Sequence, residues 1–219
     1  MQNVTDRTRN PFGMSPPCEA ACSASHAAVL GYGDANADFH VVGDHPGVHG
    51  GGGTGVPFTG TAGAERLQSV LHEVGLLGAP YADEPTAENL FLSYLHACCP
   101  PDGATPDADA YARLEPFFDA EFRAINAHVI LPVGERATDH VLAEFTAKAN
   151  QVETDMPAIH GSEVRGRGYL VVPVRDPGEW DDTDADRLRA RLEAILGSDY
   201  RQESDLGRFL PGSEPYRVR

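Results

Sequence analysis

The segment Gly43-Asp44-His45-Pro46-Gly47 sets a carboxylate and an imidazole side by side at a turn, and Pro57-Phe58 follows beyond the glycine run at 50–53. A carboxylate at a strand end, followed by Pro46-Gly47, is held by a turn whose backbone N–H groups can face a ligand oxygen. A phenyl ring fourteen positions later offers a face on which a planar ring can stack. Together they suit a pocket for a flat heterocycle, with Asp44 and His45 as the catalytic candidates. The competing reading is a floppy loop with a solvated or capping Asp44. The glycines match neither G-x-x-x-x-G-K-[ST] nor a spaced G-x-G-x-x-G, which argues against a phosphate-cradling loop.

These residues need a scaffold. Four short apolar runs read as buried strands: Phe39 to Val42, Leu90 to Leu95, Val129 to Val133 and Tyr169 to Val174. Helical periodicity separates or follows them, over about Ala64 to Leu77, Asp107 to Ala127, Glu135 to Ala149 and Asp184 to Leu196. The alternation predicts an α/β fold, a three-layer α/β/α sandwich around a central, mainly parallel four-stranded sheet. Residues 1–36 read as an N-terminal extension packing on the domain, 37–198 as the domain and 199–219 as an irregular tail. Ligands in such folds sit at the carboxyl ends of the strands. That rule gathers four segments at one cleft: Gly43 to Phe58, Leu95 to Pro101, Gly134-Glu135 and Arg175 to Trp180.

The 219 residues carry 33 acidic against 17 basic side chains, a net charge of −16, and of the basic ones only Lys148 is a lysine. Such a surface is halophile-like, solvated in strong salt and self-repelling in weak salt. It does not exclude nucleic acid, because at 1 M salt the Debye length is about 3 Å and contact has to rely on local arginines, backbone amides and stacking. No stretch approaches the roughly 18 apolar residues of a membrane span, and the N-terminus lacks the apolar core of a secretion signal. A cytoplasmic monomer that does not engage membranes is expected.

The order of segments resembles the uracil-DNA glycosylase superfamily, most closely its iron-sulfur branch, family four, over roughly residues 18–180. The family's G-E-x-P-G followed by G-x-P-F-x-G-x-A-G is matched by Gly43-Asp44-His45-Pro46-Gly47 and Gly55-Val56-Pro57-Phe58-Thr59-Gly60-Thr61-Ala62-Gly63. The resemblance implies DNA as partner and excision of an extruded base: Phe58 would stack the base, Gly43 and Gly47 would line the pocket, and Asp44 would take the place of the water-positioning carboxylate. Two motifs depart from the pattern. Tyr94 stands where the family's uracil-reading Asn belongs, and offers one hydroxyl and a larger ring, or else a buried strand aromatic. Asp176, in Pro173-Val174-Arg175-Asp176-Pro177, replaces the His that donates to the departing base, and a carboxylate cannot donate. His45 or Arg175 would have to compensate, with Arg175 alternatively holding a phosphate. The substrate-binding set is therefore Gly43, Gly47, Phe58, Tyr94, Arg175 and Asp176.

The family's four-cysteine cluster is matched at Cys18, Cys22 and Cys98, while its fourth position falls near Leu114, which cannot ligate; Cys99 is the possible substitute. The reading commits no cofactor and no metal, only a possible 4Fe-4S cluster. It ranks small buried thiols first and disulfides last. Trp180 reads as a packing residue or a duplex wedge, His160 as part of an ordinary turn, and Arg165 and Arg167 as a loop meeting the DNA backbone. The leading expectation is a DNA glycosylase acting on a deaminated or damaged base. The alternatives are a lesion-binding protein that has lost turnover and a hydrolase or binder of free nucleosides or nucleotides.

Overall fold

The computed structural model describes residues 3–18, 25–101, 104–148, 152–198 and 200, and the backbone of 203–204 and 216–217. Cys22 and most of the expected tail lie outside them. Six strands form one sheet: β1 (Tyr32–Gly33), β2 (Phe39–Gly43), β3 (Leu90–Tyr94), β4 (Val129–Pro132), β5 (Val164–Gly166) and β6 (Tyr169–Val171), in the order β1-β3-β2-β4-β6-β5. The four expected strands form the parallel centre, in the pairs β2–β3, β2–β4 and β4–β6. The two additional strands, β1 and β5, are antiparallel and close its edges. Both were missed for the same reason. At two and three residues they are too short to show a period, and β1 comes from the segment assigned to the N-terminal extension.

The helices are α1 (Pro46–His49), α2 (Ala62–Glu73), α3 (Ala108–Ile125), α4 (Glu135–Val141), α5 (Met156–Ile159) and α6 (Asp184–Leu196). Successive side chains of a strand point to opposite faces, and the two cores follow that alternation. Val41, Leu92 and Leu131 pack with Leu67 and Leu71 of α2 and Leu188 and Leu192 of α6. Val42, Phe91 and Ile130 pack with Phe118 and Phe122 of α3 and Val141 of α4. The helix expected over 135–149 divides: α4 widens into a π-helical turn, Leu142–Thr146, which lays Phe145 on Phe122 with ring centroids 4.1 Å apart. Among the described residues no helix is long and apolar enough to cross a membrane.

At the amino ends of the strands, Asp38 joins three segments. Its N–H donates to Asn89 Oδ1 (2.7 Å), and its carbonyl accepts from the N–H groups of His128 and Val129 (2.9 Å each). At the carboxyl ends the N-terminal segment runs antiparallel to the loop after β3, with Val29 N–H on Ala97 O (2.8 Å) and Cys99 N–H on Ala27 O (3.0 Å). A disulfide between Cys18 and Cys98, Cα–Cα 5.4 Å, completes the attachment. This corrects the ranking of thiols above disulfides: the backbone pairing brings residues 80 apart in sequence to bonding distance, which no sequence spacing reveals. Cys99 remains a buried thiol.

The α3 layer buries two titratable groups. His40 stacks on Phe122 and bonds Ser93 Oγ through Nε2 (2.7 Å); its complete burial pushes the imidazole down to about 3. Glu121 is pushed up to about 8 by burial, with the Gly31 backbone opposing the shift. That contact depends on glycine, since a Cβ at residue 31 would fall 2.2 Å from Glu121 Oε1.

Between the two lowered and raised values the signs are opposite. Unfolding lets His40 take up a proton below about pH 6.5, so acidification removes stability; unfolding releases the Glu121 proton above about pH 4.5, so stability falls as pH rises toward 8. Thermal melts of Glu121→Gln are expected to be higher than wild type at pH 8.5, with the difference closing as the pH falls below about 4.5. Reducing the disulfide is expected to remove about 4 kcal/mol, the loop-closure value for a loop of this length, read as a lower melting temperature in dithiothreitol that Cys18→Ser reproduces without reductant.

Candidate active site

Strand β2 ends at Gly43, and the chain turns into Asp44 and the one-turn helix α1. His45 caps that helix, its Nδ1 accepting from Gly47 N–H at 3.1 Å, and Pro46 follows at the first position. The glycine run is not slack. Gly50, at φ +85°, lies so close to the returning chain that a Cβ would meet Thr59 O at 2.0 Å, and Gly51 N–H donates to that same carbonyl (2.9 Å). The loop therefore folds back on residues 56–59 and delivers Phe58 against the end of the sheet.

Phe58 adopts φ +56°, a left-handed conformation that strains a bulky residue. Two side chains hold it there: its N–H donates to the Tyr94 hydroxyl (2.7 Å), and its carbonyl accepts from Gln68 Nε2 (2.7 Å). The Tyr94 hydroxyl in turn directs its proton at the carbonyls of His49 and Gly50, each at 3.1 Å. The rings form a cluster, with Phe58 centred 5.1 Å from Tyr94 and 5.5 Å from His49. Gly43 makes room for it, since a Cβ there would lie 2.7 Å from both Phe58 Cζ and Tyr94 Cε1.

Asp44 is held from two other elements. Tyr111, in the first turn of α3, donates its hydroxyl proton to Asp44 Oδ1, and Arg136, in the first turn of α4, brings Nε to 3.5 Å from Oδ2. The Arg136 guanidinium also sits 4.5 Å from the centre of the Tyr111 ring. The carboxylate faces a cleft of about 960 Å³ whose walls include His49, Tyr111, Arg136, Arg175 and Asp176. A smaller hollow of about 110 Å³ adjoins it, lined by Phe58, Gly63 and Pro177-Gly178 among others. Val48, His49 and Asp176 line both spaces, so Asp44 and Phe58 open on adjoining compartments rather than on one ring-sized cavity.

The predicted residues thus separate. Asp44, Arg175 and Asp176 reach the cleft and Phe58 the adjoining hollow. Tyr94 is buried behind Phe58, with its hydroxyl engaged by backbone. His45 is 2 % exposed and turned inward as a cap; burial is the main cause that pushes it down to about 4. Gly47 lies against Pro100 and the His45 ring rather than against Phe58. Asp176 caps the short 3-10 turn Pro177–Glu179 through Gly178 N–H (2.8 Å), and Arg175 is surrounded by Asp184 (2.9 Å), Asp181 (3.7 Å) and Glu179 (3.9 Å). Trp180 packs, donating to Arg175 O (2.8 Å), while His160 bonds Asp184 O and accepts from Arg175 N–H. Arg165 pairs with Glu163, and Arg167 donates to Glu144 O.

Three residues at the site escaped the sequence reading: Tyr111, Arg136 and His49. His49 is 5 % exposed, and its Nε2 faces the Val133–Gly134 backbone with no hydrogen bond of ordinary geometry. Burial lowers its affinity for a proton, against the nearby carboxylates of Asp176 and Asp44 and the contact with the Val133 backbone. Its place two residues beyond the G-D-H-P-G turn was the one available signal.

Of the cysteines matched to the family's cluster, Cys22 lies outside the described residues. Cys18 and Cys98 are bonded to each other, Leu114 lines the hollow beside them, and among the described residues no set of three or more His, Cys, Asp or Glu is arranged to hold a metal.

Removing only the oxygen in Tyr94→Phe leaves the Phe58 N–H without its buried partner. A loss of roughly 1–3 kcal/mol is expected, measured by denaturant unfolding. The change is also expected to release Phe58 from its left-handed conformation, seen as new chemical shifts for residues 56–60.

The family model described as Uracil DNA glycosylase superfamily matches residues 30–180. The chain is 24% identical over 194 residues to the Type-4 uracil-DNA glycosylase of Saccharolobus solfataricus, covering 85% of this chain and 82% of that protein. It is 32% identical over 144 residues to the Type-5 uracil-DNA glycosylase of Pyrobaculum aerophilum, covering 64% of this chain and 61% of that protein. It is 31% identical over 121 residues to the Type-5 enzyme of Thermus thermophilus, covering 53% and 55%. With the family model spanning more than half of the sequence, the chain belongs to the uracil DNA glycosylase superfamily.

Proposed function

We propose that this chain is a DNA glycosylase that hydrolyses the N-glycosidic bond of a flipped-out deaminated or damaged base. The observation that carries the reading is the mounting of Asp44: a carboxylate held by Tyr111 and Arg136 from two helices, open to a cleft that adjoins the Phe58 hollow. An oriented carboxylate directs water at the sugar carbon and stabilises the oxocarbenium character that develops as the base departs. Tyr111 and Arg136 fix its direction, so less reorganisation is required at the transition state. His49 lines both the cleft and the hollow and packs beside Phe58. Phe58 would meet the face of the ring, and Arg136, half exposed at the cleft, a DNA phosphate.

A second reading is a lesion-binding protein with little turnover. It is favoured by one observation: the side chain at the family's base-reading position, Tyr94, has its hydroxyl committed to Phe58, His49 and Gly50. Direct hydrogen-bond readout of uracil from that position is unavailable in this arrangement.

The two readings separate in a single-turnover assay of abasic-site formation in molar potassium chloride, on oligonucleotides carrying uracil, hypoxanthine or xanthine. Under the first reading one or more substrates is cleaved, and Asp44→Asn slows that cleavage by about a hundredfold or more. Retention of a lesion oligonucleotide over matched DNA, with no base released, selects the second. Turnover unchanged in Asp44→Asn would remove Asp44 from the chemistry.

A further inference from the structure

We infer that Thr61 supplies the hydrogen bond the departing base requires, its hydroxyl donating to the negative charge that develops on the base as the N-glycosidic bond breaks. The inference rests on the glycosylase reading above and adds a catalytic residue to that site.

Such a reaction needs a donor, and the residues first expected to provide one are committed elsewhere. When a neutral base such as uracil or hypoxanthine leaves, the electron pair of the C1′–N bond goes to the base, and a donor at its edge stabilises the resulting anion. Asp176, at the family's donor position, accepts from Gly178 N–H through Oδ1 (2.8 Å), and a carboxylate oxygen does not donate. His45 is buried as the cap of α1 and lines neither the cleft nor the hollow. Arg175 lies among Asp184, Asp181 and Glu179, and it lines the cleft but not the hollow that contains Phe58.

The lining of the hollow narrows the choice. Its polar side chains are those of His49, Thr61 and Asp176. Burial keeps the His49 ring neutral, and its Nε2 turns to the Val133–Gly134 backbone. A neutral imidazole has one N–H, so with that proton directed at the backbone its other nitrogen can only accept. Thr61 differs. It caps α2, where Oγ1 accepts from Ala64 N–H at 3.1 Å. A hydroxyl that accepts one bond still carries a proton that rotates toward a partner, and among the described residues no acceptor takes it.

The residue is also held in place. Its methyl group packs on Gly50, where a Cβ would lie 3.0 Å from Thr61 Cγ2, and its carbonyl accepts from Glu65 N–H (3.1 Å). Gly50 is the residue on which the returning chain closes to deliver Phe58, so the ring face and the donor come from one segment with one anchor.

The step balances with the groups present. The C1′–N bond breaks with its electron pair on the base, and water adds to C1′ while passing a proton to Asp44 or to solvent. The base anion, bonded by Thr61 Oγ–H, takes a proton from solvent as it is released. Thr61 keeps its own proton throughout. Asp176 also lines the hollow and opposes negative charge there, which the hydroxyl offsets.

Single-turnover release of uracil, 5-fluorouracil and hypoxanthine from otherwise identical strands, in molar potassium chloride, tests the assignment on every base that the wild-type chain releases. Thr61→Ser keeps cap and hydroxyl, Thr61→Asp keeps the cap but cannot donate, and Thr61→Val keeps the shape and loses both. Thr61→Ser is expected to stay within about threefold of wild type, whereas Thr61→Asp and Thr61→Val slow uracil and hypoxanthine about a hundredfold, the usual cost of one donor to a developing anion. On 5-fluorouracil, whose fluorine already withdraws charge from the departing ring, both are expected to lose only about tenfold. A residue that merely caps α2 would leave Thr61→Asp as active as wild type, and its loss in Thr61→Val would slow all bases alike. Either result overturns the assignment, as does full activity of Thr61→Val, and the glycosylase reading then stands. Release of no base by wild type overturns that reading and the assignment together. Thr61→Asp retains the cap, so the comparison does not depend on a variant weakened at α2.

Discussion

A single phenolic oxygen organises the carboxyl end of the sheet. The Tyr94 hydroxyl accepts from the Phe58 N–H and points its proton at the carbonyls of His49 and Gly50, joining the end of β3 to both sides of the loop that follows β2. The loop contains a strained residue, and strain persists only where neighbours over-determine it. Tyr94 and Gln68 supply that constraint from two elements. The glycines at 43 and 50 are consequences of the same junction, because rings and backbone approach there more closely than a Cβ allows.

The reactive groups are mounted differently. Asp44 extends the central strand, but its direction is set by Tyr111 from α3 and Arg136 from α4, whereas Phe58 is held by Tyr94 and Gln68. Charge and ring face are thus positioned by separate parts of the fold, with His49 between them. The parallel sheet makes this possible: every loop concerned leaves the same end of the strands, and helices cover both faces.

Much of this was legible in the sequence, and the exceptions have physical causes. The buried strands showed as unbroken apolar runs, and α6 occupies the expected residues Asp184–Leu196. Asp44 and Phe58 were identifiable because a turn and a spaced motif enclose them. Tyr111 and Arg136 were not, because their roles come from the approach of two helices distant in sequence, and each taken alone resembles any polar residue in a first helical turn. The same holds for Cys18 and Cys98, which are joined by backbone pairing between residues 27–29 and 97–99. The glycine run was read as slack because sequence shows permissive φ values but not the contacts that use them. Tyr94 carried two readings; only the positions of the backbone groups around its hydroxyl distinguish a residue that supports the pocket from one that reads its contents.

The junction around Asp38, Asn89 and His128 lies at the far end of the strands from all of this chemistry. Substitutions at that junction can change how firmly the strands are held together with no residue of the cleft displaced.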